Sequence, residues 1–260
     1  MESLRRDFLP ADLQGALGAA RFDGTIAVQA RQSVAETDWL LDLARQSPFI
    51  RGVVGWVPLA EKGRAIDALL DRYCTHPRFK GVRHVLQAEP AEYFEHAGFN
   101  DALREVAGHD LVYDLLIRSA QLPAALAWVD RHPDLRIVLD HIAKPIVSGP
   151  PPKIWRDQIR ELARRPRVFC KFSGVTTEVP GWRWTSDLVR PYFEVVLEAF
   201  GPERLMFGSD WPVCLVATSY RDWAQTTEAF VQSLSSTARD AILGGTAAAV
   251  YQLDSGERPS

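Results

Sequence analysis

The chain has 260 residues, 47% of them hydrophobic, and a formal net charge of −3 from 30 basic and 33 acidic residues that are well mixed along it. That balance offers neither a nucleic-acid surface nor a polybasic patch for a membrane. Three widely spaced cysteines, Cys74, Cys170 and Cys214, include no C-x-x-C pair; they argue against a disulfide framework or a structural zinc site and for a reducing, cytoplasmic compartment.

No apolar run approaches the ~20 residues that span a bilayer. The opening Met1-Glu2-Ser3-Leu4-Arg5-Arg6 lacks the apolar core of a signal peptide. In chain order, a helix over 10–20 comes first, then a short strand at 25–29 and an amphipathic helix over 34–44. A strand at 50–57, a helix over 60–73 and a strand at 79–86 follow, then a long helical region ending near Gly108. Strands are expected at 111–117, 136–141, 167–172 and 205–208. Helices over 122–130, 153–164 and 186–200 separate them, and two more, 220–234 and 236–251, close the chain. This alternation implies βαβ units and a parallel sheet, an α/β fold of the TIM-type barrel class in one domain over 1–260. Seven strands are one short of a closed (β/α)8 barrel, and the chain starts on a helix, so the first strand is expected to be missing.

In such a barrel, residues just after a strand face the end where active sites are built. Asp210, in Phe207-Gly208-Ser209-Asp210-Trp211-Pro212, sits there, although a helix cap is an equally fair reading of an Asp followed by Pro. His141 ends its strand in Leu139-Asp140-His141-Ile142-Ala143-Lys144-Pro145. Neighbours in a regular strand point to opposite sides, so Asp140 and His141 are not both expected to face inward. Arg83 and His84, late in their strand, line the polar mouth or lie against a helix with buried stems. Lys171 and Ser173 share one side at period two, which would aim a lysine at the site. Gln29, Trp56, Arg118, Trp182 and Trp184 fall at strand ends or in loops on the same side. His76, His109 and His132 precede strands and belong to the opposite, stability face; His96 reads as loop packing.

Four motifs occur in register: Phe79-Lys80-Gly81-Val82-Arg83-His84, Leu139-Asp140-His141-Ile142-Ala143-Lys144-Pro145, Cys170-Lys171-Phe172-Ser173-Gly174 and Met206-Phe207-Gly208-Ser209-Asp210-Trp211-Pro212-Val213. From about Phe8 to Leu253 the chain resembles the amidohydrolase-2 family of metal-type barrel hydrolases, in its branch of sugar-acid lactonases. The resemblance implies opening of a lactone ring by water, with Asp210 as general base and His141 binding or polarising substrate. Both would serve as ligands of a divalent, zinc-like metal. Arg83, His84, Lys144 and Lys171 would bind the substrate's polar groups, with Gln29, Trp56 and Trp211 beside them. The partner is a small lactone or sugar acid, not a nucleic acid or a membrane, and no organic cofactor is implied. The family opens with a strand ending in His-x-His; this chain has no such pair and no histidine before His76. Metal binding is therefore an open expectation, as is self-association through unpaired strand edges at 25–29 and 205–208. A metal-dependent decarboxylase and a shortened ligand-binding paralogue are the alternatives.

Overall fold

In the computed structural model, which describes residues 2–60 and 64–253, strands and helices alternate as the pattern requires. The strands are β1 (Thr25–Val28), β2 (Ile50–Gly55), β3 (Phe79–His84), β4 (Val112–Leu115), β5 (Arg136–Leu139), β6 (Val168–Phe172) and β7 (Leu205–Phe207). They pair in sequence order, every pair parallel, into one curled sheet. The helices are α1 (Pro10–Ala19), α2 (Val34–Gln46), α3 (Arg64–Cys74), α4 (Ala97–Gly108), α5 (Leu122–Val129), α6 (Lys153–Leu162), α7 (Ser186–Phe200), α8 (Tyr220–Val231), α9 (Ser236–Asp240) and α10 (Thr246–Val250). Hydroxyl caps start several of them: Ser33, Thr185, Ser219 and Ser235 each accept a backbone N–H from the first turn of the helix that follows. No helix of the described residues is long and apolar enough to cross a membrane.

Three expectations change. The segment after β3 is two short 3-10 turns, Leu86–Ala88 and Ala91–Glu95, before α4; Pro90, with no N–H to donate back, ends the first and caps the second. The terminal helix over 236–251 is broken by a π-type segment, Ala241–Gly245, around a glycine pair. Strand β5 stops at Leu139 and does not include His141. The helix expected from residue 60 is described from Arg64; 61–63 lie outside the described residues.

Period-two alternation sorts the sheet's two faces. Val53, Val82, Tyr113, Leu115, Ile137, Leu139, Cys170, Phe172 and Leu205 join the large apolar layer beneath the helices. Val54, Val112, Val138 and Met206 form a second cluster with Val250 and Tyr251, and this fills the inside of the curl at its lower end. The C-terminal turn seats there from below: Lys80 Nζ donates to the Gln252 carbonyl at 2.8 Å and Arg136 to the Val250 carbonyl at 2.7 Å. One step further along the same inward rows stand Arg83, Asp114, Asp140 and Lys171. Among the described residues β1 and β7 do not hydrogen-bond to each other. Side chains fill the seam between them: Phe22 stacks on Phe207 at 4.8 Å and 8°, and Leu17, Ala20, Tyr220 and Ala224 pack around that pair.

Candidate active site

At the ends of β5, β6 and β7 the backbone turns abruptly. After Leu139 the chain enters Asp140 and then passes through four consecutive left-handed residues, His141, Ile142, Ala143 and Lys144, with φ between 47° and 60°. That departure from strand geometry lets Asp140 and His141 both reach inward, which a regular strand forbids. His141 is 7% exposed, and its Nδ1 lies 2.7 Å from the Ser173 hydroxyl just past β6. Its Nε2 faces Asp210 Oδ1 at 3.6 Å. A carboxylate on that side favours the ring proton on Nε2, so Nδ1 accepts and the Ser173 hydroxyl donates. Burial pushes the imidazole below its ordinary value, against the pull of Asp210 and Asp140.

Asp210 is itself left-handed, at φ 54°, a conformation Asp tolerates better than most residues. Its carbonyl accepts the Cys214 amide at 2.8 Å, and Trp223 donates to the Gly208 carbonyl at 2.9 Å, so the loop is anchored on both sides of the carboxylate. Gly174 is the hinge that brings the parts together. It has φ 64°, and a Cβ there would fall 2.9 Å from His141 Nδ1 and 3.1 Å from Asp210 Oδ2. Both conformation and space therefore require glycine.

Below this rim lies a buried ionic network. Lys171 Nζ donates to Asp140 at 2.6 Å and Asp114 at 2.9 Å. Arg83 donates to the other Asp140 oxygen at 2.8 Å and to the Gln29 carbonyl, while the Gln29 amide donates to the Arg83 carbonyl at 3.0 Å. Tyr251 donates to Asp114 at 2.6 Å. Burial alone would raise the Asp140 carboxyl, but Lys171, Arg83 and His141 outweigh it and hold it well below the carboxylate range. Asp114, with burial the largest influence and Asp140 beside it, is pushed up despite Lys171.

A family model described as Amidohydrolase matches residues 2–253. The chain belongs to the amidohydrolase family. An L-fucono-1,5-lactonase of Burkholderia multivorans is 40% identical to this amidohydrolase over 266 residues, covering 97% of this chain and 88% of that one. An L-fucono-1,5-lactonase of Burkholderia ambifaria is 35% identical, covering 100% and 89%. A crystal structure of a Burkholderia multivorans amidohydrolase with bound zinc superposes with a TM-score of 0.90 at 38% identity, covering 97% of this chain and 91% of that one.

The residues of this amidohydrolase can be tested against such an ion. Two ligands of one tetrahedral zinc, at bonds of ~2.0–2.1 Å, lie roughly 3.3 Å apart, and the 3.6 Å between His141 Nε2 and Asp210 Oδ1 is near that. To bind a metal through Nε2 the imidazole would carry its proton on Nδ1 and donate it to the Ser173 hydroxyl, the reverse of the direction that Asp210 favours. The pair makes one edge of a site. Among the described residues no group of three His, Cys, Asp or Glu side chains could hold a metal. A catalytic zinc takes three protein ligands, so the donors among the described residues do not fit a resident zinc.

The other residues singled out from sequence divide. Arg83, Lys171 and Gln29 are brought together, but with one another and with Asp140 and Asp114: neither cation is free, and Lys171 spends its ammonium on two carboxylates. His84 lies on the outer side of β3, accepting from Trp56 at 3.4 Å, meeting Glu89 at 3.0 Å and stacking on Tyr93. With Pro58, Leu59 and Ala60, these rings line a separate cleft of about 130 Å³. Lys144 lies on the catalytic rim, its ammonium 3.9 Å from Glu178. Trp211 is half-buried, edge-on to Phe8 at 5.3 Å. His96 caps α4, accepting from the Phe99 amide at 3.2 Å. Sequence reasoning missed Glu178, Asp114, Tyr251 and the part played by Ser173. Only Ser173 carried a signal, its shared side with Lys171 and the glycine after it.

Proposed function

We propose that this amidohydrolase hydrolyses a sugar-acid lactone, with Asp210 as the base for water. The observation that carries the reading is the Ser173–His141–Asp210 cluster at the ends of three successive strands, on the face where barrel enzymes build their sites. Asp210 takes a proton from water as the oxygen bonds to the lactone carbonyl carbon. The carbonyl oxygen becomes an oxyanion, and His141 Nε2–H with the Lys144 ammonium stabilises it. As the ring C–O bond breaks, Asp210 returns the proton to the ring oxygen, leaving an open hydroxy acid. Ser173 keeps the imidazole proton on the side where it acts. The lactonases at 40% and 35% identity support the substrate class. We read the fold as the eight-stranded barrel short of one strand between β7 and β1, in one domain, on the support of seven parallel strands in sequence order. Three free thiols support the cytoplasm as its compartment.

The experiment is Asp210→Asn assayed on aldonic-acid lactones, with circular dichroism as a check of folding. Loss of a positioned general base costs about 10²–10⁴-fold in kcat. A folded Asn variant with near-normal turnover would sink the assignment.

A further inference from the structure

Glu178 closes the 3-10 turn Thr176–Glu178 that follows β6 and Gly174. Its backbone is fixed at both ends: its amide donates to the Val175 carbonyl at 3.2 Å and its carbonyl accepts from Val147 at 3.1 Å. The side chain is 18% exposed, and the nearest cation, Lys144 Nζ, stands 3.9 Å away, beyond a hydrogen bond. Among the described residues nothing donates to this carboxylate. Burial, chiefly, raises the carboxyl, and the charge on Asp210 raises it further, while Lys144 and Arg118 oppose this. The turn Thr176–Glu178 packs against the turn Val213–Val216 that follows Asp210, so the two carboxylates stand on neighbouring loops at the same end of the sheet. A half-buried carboxylate without a protein donor is open to donors that a ligand brings.

The charges around the site can be added by location. Arg83 and Lys171, the two cations inside the sheet, are neutralised by Asp140 and Asp114. The rim above them carries two carboxylates, Asp210 and Glu178, against Lys144 and the exposed Arg118. With Lys144 given to the oxyanion, a carboxylate elsewhere on the substrate meets only cations already paired inside the sheet, and a third negative charge would enter beside two. Hydroxyl groups, in contrast, find in Glu178 an acceptor with open lone pairs.

We propose that Glu178 makes this site select neutral polyhydroxy lactones and reject lactones that carry a carboxylate. The proposal rests on the lactonase reading and names the substrate class within it. Glu178 accepts hydrogen bonds from ring or side-chain hydroxyls of the neutral substrate and repels the charged one, so attraction and exclusion come from one group.

The test compares kcat/KM on an aldonic-acid lactone and on the matching aldaric-acid lactone, the same ring with a carboxylate in place of the terminal carbinol. The wild-type chain should favour the neutral lactone by about 100-fold, a discrimination within what like-charge juxtaposition supplies. Glu178→Gln should narrow that ratio at least tenfold, mainly by faster turnover of the charged lactone, and Glu178→Asp should keep most of it. A wild-type preference for the charged lactone, or a ratio unchanged in Glu178→Gln, overturns the proposal while leaving lactone hydrolysis standing. The wild-type ratio decides even if the Gln variant does not fold. Turnover of neither lactone by the wild type overturns the lactonase reading and this proposal together.

Discussion

Lys171 holds two buried carboxylates at once, and its fate measures what the network is for. Breaking a buried ion pair by removing one partner costs roughly 3–5 kcal/mol, because the surviving charges stay buried. Without Lys171, Asp114 keeps only the Tyr251 hydroxyl, and Asp140 keeps Arg83. Lys171→Ala is therefore expected to lose about that much stability in urea denaturation. A substrate-binding lysine would instead raise KM and leave the midpoint where it was; that result would move Lys171 from the scaffold to the site. The sequence showed a lysine on the inward row but not its partners. Partner choice depends on which strands the curl brings face to face, and Asp114 in Val112-Tyr113-Asp114-Leu115 looks like an isolated polar residue in an apolar strand. That Asp210 and His141 follow strands on one end of the sheet was legible, because each lies a few residues past a strand that the pattern marks.

At the level of elements, the turn from His141 to Lys144 shows where pattern reading stops. Alternation puts Asp140 and His141 on opposite sides; the left-handed turn overrules it. None of its four residues is Gly or Asn, so nothing local announces the conformation. Each L-residue there costs about 1–2 kcal/mol, a strain the surrounding packing must hold: His141, Ile142 and Ala143 are all buried, and Trp155 donates to the Ile142 carbonyl at 3.0 Å. The neighbouring turn at Gly174 is as exacting for space. Gly174→Ala would meet the same left-handed cost, about 1–2 kcal/mol, and push a methyl between His141 and Asp210. A displacement of about 1 Å in a catalytic pair is worth as much as 10²-fold in rate. The variant should melt earlier and lose at least about tenfold in kcat. Full activity would show that the pair need not be held as the structure holds it.

For the whole molecule, strand and helix alternation made the parallel order of the sheet legible before any coordinate, because each βαβ unit can wind in only one way. The seven strands fall where periodicity put them, shortened mainly at the ends where loops take over. The meeting of β1 and β7 was not legible as an aromatic seam, since Phe22 and Phe207 lie far apart in sequence and Phe22 precedes its strand rather than belonging to it. That seam has a consequence in time. Strands bonded on both sides open only with the whole sheet, whereas a strand bonded on one side can open alone at low cost. All four residues of β1 are half-buried, while all four of β4 are buried. Amide protons should therefore exchange with solvent soonest in β1, later in β7 and last in β4, read by native-state exchange and mass spectrometry. Equal protection across all seven strands would mean that the wall breathes as one ring. The expected gradient makes β1 the leaf of the wall that swings first, beside Gln29 and the Arg83 that leans on it.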